Sequence, residues 1–152
     1  MLRYFYNQNL VKIMDRQPKD WEEAIWFSGE IMKEKELITD QYIKDIIRDC
    51  HEYGPYIVIL PDVAIPHSSA ESTGVLGTGI GFTVLPNRVS FEEGNPEKEA
   101  KLFFMLAAKD ADAHMENIAN LSELLMIDEM IPDLLSIETM DDYLRVMEKH
   151  QM

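Results

Sequence analysis

The chain has 152 residues, with 28 Asp and Glu against 14 Lys and Arg, which gives a formal net charge of -14. This acidity disfavours nucleic acid and anionic membrane surfaces as partners and favours a basic protein, although it equally fits a role in solubility alone. The length suits one domain, and the single cysteine, Cys50, excludes an internal disulfide and fits a reducing cytoplasm. No apolar run approaches the ~18 residues of a membrane span and no secretory signal is recognisable, so we expect a cytoplasmic protein.

A strand and a helix are predicted before residue 35. Residues 10–14 alternate enough for a short strand. Asp20 is a good helix N-cap, and Glu23 three residues later completes a capping-box pattern. The helix that follows places Ala24 and Ile25 on an apolar face, which is expected to pack on a core.

A second helix is predicted from the N-cap Thr39 to about Glu52. Its apolar stripe includes Cys50, so a small buried thiol is expected there and not a reactive one. His51 leaves this stripe close to the helix end, where a histidine can bind the last carbonyl groups. Gly54 then ends the helix.

Two short β-branched runs, residues 56–59 and 63–65, predict two strands. Pro66 ends the second strand because proline offers no N–H to a sheet. His67 therefore lies just past a strand end, where α/β proteins expose loop side chains that the sheet holds in place. We interpret His67 as a nucleophile.

The next segment predicts a strand over residues 75–85, with glycines at every second position from Gly77 to Gly81. Such spacing leaves one face bare for a close neighbour. Pro86 is expected to turn the chain, and residues 88–91 to return as a short strand. The continuous apolar run 101–108 is typical of a central strand that is covered on both faces.

The last third of the chain predicts two helices. Asp110 is the expected N-cap of a helix over residues 111–125, and His114 falls in its first turn on the side that faces the sheet. Thr139 is expected to open a final amphipathic helix, with His150 in a frayed tail. Helices that alternate with strands, two of them wholly apolar, predict an α/β fold: a three-layer α/β/α sandwich with a mixed β-sheet.

His67 and His114 each lie near the end of an inner strand, and two parallel strands that end together would bring both rings into one crevice. Two imidazoles there can bind a metal, exchange protons or accept a phosphoryl group. For zinc, no third ligand has a recognisable spacing. For a serine hydrolase, Ser68 and Ser69 lack a nucleophile elbow.

A phosphoryl carrier needs a neutral imidazole nitrogen, a partner for the other ring nitrogen, and donors around the transferred oxygens. His67 can supply the nucleophile and His114 can donate to a phosphoryl oxygen. The amides of the first helical turn after Asp110 face the same crevice with a favourable dipole. Because phosphoryl transfer depends mainly on positioning and charge stabilisation, this sparse site suffices without a cofactor or a metal. The residues alone leave open that both histidines are structural.

Two segments resemble a known family. They are Gly54-Pro-Tyr-Ile-Val-Ile-Leu-Pro-Asp-Val-Ala-Ile-Pro-His67 and Leu106-Ala-Ala-Lys-Asp-Ala-Asp-Ala-His114. Together they are similar to the IIA component of the bacterial phosphotransferase system, of the mannitol–fructose type, and the first segment is most similar to the ascorbate-type branch. The helix opening Asp20-Trp-Glu-Glu-Ala24 also fits, so the resemblance spans nearly the whole chain and implies one EIIA type 2 domain over residues 1–152.

The resemblance implies a cytoplasmic phosphocarrier. His67 would take a phosphoryl group from HPr and pass it to a IIB component, which drives uptake of a sugar, ascorbate or a related one, through the membrane protein IIC. His114 would be the second active-site histidine. Glu71, with Ser68 and Asp110, would support the phosphoryl group or a partner, and a homodimer is compatible with this function.

The chain departs from the ascorbate-type pattern after the histidine, where Ser69 replaces an arginine. Mannitol-type members also carry an upstream arginine, and the corresponding stretch here holds Arg48 or His51. Phosphoryl stabilisation is therefore expected to depend on His114 and on backbone amides. Two alternatives remain: a regulatory IIA-like domain whose phosphorylation controls a partner instead of transport, and a metal-dependent hydrolase that uses both histidines.

Overall fold

The computed structural model describes residues 1–68 and 72–152, which form a five-stranded mixed sheet covered by helices. The strands are β1 (Val11–Ile13), β2 (Val58–Leu60), β3 (Asp62–Ala64), β4 (Gly79–Ser90) and β5 (Glu99–Ala107). The helices are α1 (Leu2–Asn7), α2 (Trp21–Glu34), α3 (Asp40–Tyr53), α4 (Ala111–Leu125), α5 (Met130–Leu135) and α6 (Met140–Lys149). No helix within the described residues combines the length and apolar character that a bilayer crossing requires.

The sheet has the order β1-β4-β5-β3-β2, so the apolar strand β5 lies at its centre. Strand β3 pairs with β5 in parallel, with Val63 opposite Leu102 and Ala64 opposite Phe103. Strand β4 is antiparallel to β5, and β1 is parallel to β4. Because β3 and β5 point the same way, the residues that follow them leave the sheet at one edge.

The two faces of the sheet carry different helices, which confirms the three-layer α/β/α prediction. On one face, α2 packs closely over Gly81, where an added Cβ would lie 2.9 Å from the sulfur of Met32. On the other face, Phe82 stacks on Phe104 with ring centroids 4.4 Å apart, and Phe5 of α1 covers this pair. The bare glycine face predicted from the sequence is thus filled by α2 at Gly81 and by Leu37, which follows α2, at Gly77 and Gly79.

The prediction that Pro86 turns the chain is wrong. Strand β4 continues through Pro86 and Asn87, and its pairing with β5 is interrupted between Val84 and Val89 before it resumes. Proline is tolerated here because the interruption leaves no ladder bond for its missing N–H. The amide and the carbonyl of Asn87 bind the side chain of Gln17 instead.

Most predicted helix starts are confirmed. The carboxylates of Asp20 and Asp110 each accept an N–H three residues on, and Thr139 forms a complete capping box with Asp142. Thr39 does occupy the N-cap position of α3, but its side chain makes no capping bond there. Its hydroxyl lies 3.5 Å from the carbonyl of Gly74.

Two histidine expectations are corrected. His51 does not bind the carbonyls at the end of α3, since its Nε2 lies 2.5 Å from a carboxylate oxygen of Glu22 and its ring packs on Trp21. His150 is not in a frayed tail, since its side chain is only 10% exposed and its Nε2 lies 2.7 Å from Asp133. Each ring contacts a carboxylate on another helix. Such contacts between distant residues cannot be predicted from the local sequence.

Candidate functional site

An open cleft of about 570 Å³ lies where β3 and β5 end. Its walls include four predicted site residues, His67, Ser68, Asp110 and His114. The fifth, Glu71, lies outside the described residues. Tyr42 and Lys109, which the sequence analysis did not single out, also line the cleft.

His67 and His114 share this cleft, with ring centroids 5.7 Å apart and ring planes tilted by 41°. The carbonyl of Pro66 accepts the N–H of Leu106 at 3.0 Å, so the pairing of β3 with β5 extends to the residue before His67. His114 follows within the first turn of α4, which begins four residues after β5 ends. The parallel pair of strands therefore sets the separation of the two rings.

The His67 ring is fixed in one tautomer. Its Nδ1 lies 2.6 Å from the backbone carbonyl of Ile65, two residues before it. A carbonyl oxygen only accepts hydrogen bonds, so Nδ1 carries the hydrogen and donates it. In the neutral ring, Nε2 then holds the lone pair and is the nitrogen that can attack an electrophile.

The surroundings favour the neutral form of this ring. Burial lowers the pKa of His67 below its ordinary value, and the neighbouring His114 lowers it further, against opposing effects of the Ile65 carbonyl and of Asp49. A half-buried imidazole with a lowered pKa is unprotonated at neutral pH. It therefore meets the first requirement of a nitrogen nucleophile.

Two buried carboxylates of α3 accept hydrogen bonds from Ser68 and Ser72. Asp49 accepts the hydroxyl of Ser68 at 3.0 Å, and Asp45 accepts that of Ser72 at 2.5 Å. The two aspartates are 3% and 6% exposed, and Arg48 contacts both carboxylates. The sequence analysis missed these aspartates; the available signal was their spacing of four, which puts two acidic residues on one side of α3.

The opposite wall of the cleft is the start of α4. The side chain of Asp110 caps the helix by accepting the N–H of Ala113 at 2.8 Å, and the backbone N–H of Lys109 binds the hydroxyl of Thr78 at 3.1 Å. Among the described residues, no carboxylate lies within ion-pair distance of the Lys109 ammonium. An exposed cation and the positive end of a helix dipole therefore border the space in front of the two histidines.

Within residues 1–68 and 72–152, no group of three or more His, Cys, Asp or Glu side chains is arranged to hold a metal ion.

The family model and the relatives that match this chain all describe IIA components of the phosphotransferase system. The family model described as "Phosphoenolpyruvate-dependent sugar phosphotransferase system, EIIA 2" matches residues 4–150. The mannitol-specific cryptic phosphotransferase enzyme IIA component of Escherichia coli (strain K12) is 42% identical over 118 residues, which is 78% of each chain. The ascorbate-specific EIIA component of the same strain is 27% identical over 114 residues, or 72% of this chain and 73% of the relative.

Solved structures of enzyme IIA proteins have folds similar to that of this chain. The solution structure of the mannitol-specific cryptic enzyme IIA from Escherichia coli has a TM-score of 0.81 and 34% identity, covering 97% of this chain and 98% of that chain. The enzyme IIA mannitol in a complex with phosphorylated enzyme IIB mannitol, also from Escherichia coli, has a TM-score of 0.73 and 25% identity, covering 91% and 94%. By identity the mannitol-specific relative is nearer than the ascorbate-specific one, whereas the motif before His67 favoured the ascorbate branch.

Proposed function

Since the chain belongs to the EIIA 2 family of the phosphoenolpyruvate-dependent sugar phosphotransferase system, we propose that His67 carries its phosphoryl group. Enzymes of this family are phosphotransferases that work through a phosphohistidine intermediate. The observation that carries the assignment is the bond from Nδ1 of His67 to the Ile65 carbonyl, which leaves Nε2 as the nucleophilic nitrogen in an open cleft.

The reaction is an exchange between two imidazoles. Nε2 of His67 attacks the phosphorus of a phosphohistidine on the donor HPr, the new N–P bond forms, and the donor's N–P bond breaks as its imidazole leaves with the electron pair. The hydrogen on Nδ1 of His67 stays in place because the Ile65 carbonyl holds it. No base is required, since the ring is already neutral.

Three groups border the path of the transferred phosphoryl group and can stabilise its charge. His114 can donate a hydrogen bond from the facing wall, the first turn of α4 after Asp110 presents backbone amides, and Lys109 supplies a positive charge. Ser68 supports the site indirectly, because its hydroxyl donates to Asp49 and thereby restrains the residue next to His67. Glu71 is proposed to contact a ring or a partner, as its place in the motif implies.

The second half of the cycle passes the phosphoryl group to a IIB component and thereby drives sugar uptake through IIC. Support for a IIB partner comes from the solved complex of an enzyme IIA with its phosphorylated IIB. We place the protein in the cytoplasm, as one EIIA domain over residues 1–152. The motif before His67 favours ascorbate as the transported compound, and the nearer relative favours mannitol.

The test is incubation with phosphoenolpyruvate, enzyme I and HPr, followed by measurement of the intact mass. We expect one acid-labile phosphate on the wild-type chain and none on His67→Ala. The matched control is His51→Ala, because His51 is a largely exposed histidine outside the cleft and should leave phosphorylation intact. No phosphate on the wild type, or phosphate retained by His67→Ala, would refute the assignment.

A second experiment, in which the cognate IIB is added to the phosphorylated chain, distinguishes a transport function from a regulatory one. We expect the phosphate to leave this chain and appear on IIB. A phosphorylated chain that transfers to no IIB would contradict the transport function and favour a regulatory IIA-like domain.

A further inference from the structure

The peptide group that joins His67 to Ser68 is held by two tyrosine hydroxyls. The hydroxyl of Tyr56 donates to the His67 carbonyl, and the N–H of Ser68 points to the hydroxyl of Tyr42 at a longer distance of 3.4 Å. One peptide plane therefore has a hydroxyl partner at each end. Rotation of this plane would break both contacts.

Tyr56 contacts the His67 side chain as well. The two ring centroids lie 5.3 Å apart with the planes at 88°, an edge-to-face arrangement. A single side chain thus restrains both the backbone and the imidazole of His67. Its hydroxyl and its ring make separate contacts, so one substitution can remove the hydroxyl contact alone and another can remove both.

Tyr42 connects the same peptide group to the centre of the sheet. Its hydroxyl donates to the carbonyl of Leu106 at 2.5 Å, and Leu106 in turn donates its N–H to Pro66. Burial raises the pKa of Tyr42 to about 12, so the phenol keeps its proton and remains a donor. The chain is therefore bonded to Leu106 of β5 on both sides of His67, directly at Pro66 and through the Tyr42 hydroxyl at Ser68.

We propose that Tyr56 and Tyr42 are positioning residues that keep the His67 ring in the tautomer with the lone pair on Nε2. The bond from Nδ1 to the Ile65 carbonyl spans only two residues, so it persists only while the backbone from Ile65 to Ser68 keeps its shape. The tyrosines fix that shape at the His67–Ser68 peptide. This inference rests on the proposed role of His67 as the phosphoryl acceptor.

The test uses two measurements on the full chain. Nitrogen-15 NMR of the imidazoles reports which ring nitrogen of His67 carries the hydrogen, and the reconstituted system with enzyme I and HPr gives the rate of phosphoryl uptake. For Tyr56→Phe we expect the Nε2–H form to appear in the spectrum and uptake to slow roughly 10- to 100-fold, because the attacking nitrogen is misplaced or protonated. Tyr56→Leu, which removes the ring contact too, should slow uptake further.

Tyr42→Phe should change the tautomer in the same direction, since it removes the hydroxyl that faces Ser68 and the bond to Leu106. The control is Tyr53→Phe, because Tyr53 is 62% exposed at the end of α3 and should leave both measurements unchanged. Thermal unfolding of each variant shows whether a loss of stability accompanies the change.

The outcomes are separable. Slower uptake of Tyr56→Phe with an unchanged His67 tautomer would assign the tyrosine a merely structural role and overturn the inference. Wild-type His67 in the Nε2–H form would overturn it even if no variant folds. A wild-type chain that takes up no phosphate would refute the proposed function, whereas normal uptake by both wild type and Tyr56→Phe would refute the positioning role alone.

Discussion

The rings of His67 and His114 lie with their centroids 5.7 Å apart, although one follows β3 and the other belongs to α4. That separation leaves room for a phosphoryl group on one ring to accept a hydrogen bond from the other. We therefore predict that His114→Ala still takes up phosphate on His67 but exchanges it more slowly, on the order of 100-fold, because a donor to the transferred oxygens is lost. His114→Gln, which keeps an N–H donor, should recover part of the rate. Rapid-quench measurement of transfer to IIB checks this, and an unchanged rate in His114→Ala would mean that His114 only packs.

The pH dependence of uptake follows from the lowered pKa of His67. Burial is the main cause, so more than half of the rings are neutral at pH 6.5, where an ordinary histidine is half protonated. Because the neutral ring is the nucleophile, we expect the uptake rate to fall to half its maximum only below pH 6.5. Uptake measured against pH with a constant supply of phosphorylated HPr tests this. A midpoint at or above 6.5 would contradict it.

The same shift predicts a pH dependence of stability. Unfolding restores the ordinary pKa of His67, so between the lowered and the ordinary value the unfolded chain binds the additional proton. The free energy of unfolding should therefore decrease as the pH falls below about 6.5 towards the lowered value, and His67 should contribute no slope above that window. His67→Gln should lose this part of the slope in urea titrations at a series of pH values. Identical slopes in both proteins would disprove the link.

The sequence predicted the parts of the site that depend on local signals. Pro66 ends a strand, the apolar run before Ala108 forms the central strand, and Asp110 caps the helix that carries His114. These three signals place each histidine just beyond the end of a strand. The two rings meet only if both strands end at the same edge of the sheet; the sequence analysis assumed such a parallel pair, and the pairing of β3 with β5 is parallel.

Features that depend on distant partners were not predictable in this way. Asp45 and Asp49 are polar residues in a helix, and Ser68 and Ser72, which lie two strands further along the chain, are among the partners that compensate their burial. Pro86 carries an ordinary turn signal, yet β4 runs through it and pairs with β5 before and after the interruption. The short helices α1 and α5 contain too few residues for a helical period to be recognised.

Thr83 offers a test of core energetics away from the cleft. It is fully buried in β4, and its hydroxyl has no hydrogen-bond partner among the described residues. We expect Thr83→Val to raise the free energy of unfolding by about 1 kcal/mol, because an unsatisfied hydroxyl is replaced by a methyl group of similar size. Thr83→Ser keeps the hydroxyl and should lower the stability instead. Urea denaturation of both variants checks the prediction, and a Thr83→Val protein less stable than wild type would refute it.

Gly74 packs directly against the backbone of α3 at Tyr42. A Cβ at this position would lie 2.3 Å from the backbone nitrogen of Tyr42, and helix backbone cannot give way as a side chain can. Gly74→Ala should therefore lower the free energy of unfolding by roughly 1–3 kcal/mol and slow phosphoryl uptake, since Tyr42 is displaced. Gly77→Ala is the matched control, because its Cβ would meet the flexible end of Leu37 at 2.9 Å. Equal effects of the two substitutions on stability and uptake would contradict this reasoning.

The hydroxyl of Ser68 binds a buried carboxylate. Substitution of Ser68 therefore tests whether this hydrogen bond helps to position the adjacent His67. The Ser68 hydroxyl donates to Asp49, a carboxylate that is 3% exposed and also contacts Arg48. Ser68→Ala should lower the free energy of unfolding by about 1–2 kcal/mol, because a buried carboxylate loses a donor. It should also slow phosphoryl uptake, because the residue next to His67 loses a bond to α3. Ser90→Ala removes an exposed hydroxyl that binds the Glu92 carbonyl, far from the cleft, and should change neither quantity. If Ser68→Ala loses stability but takes up phosphate at the wild-type rate, the bond from Ser68 to Asp49 stabilises the fold without positioning His67.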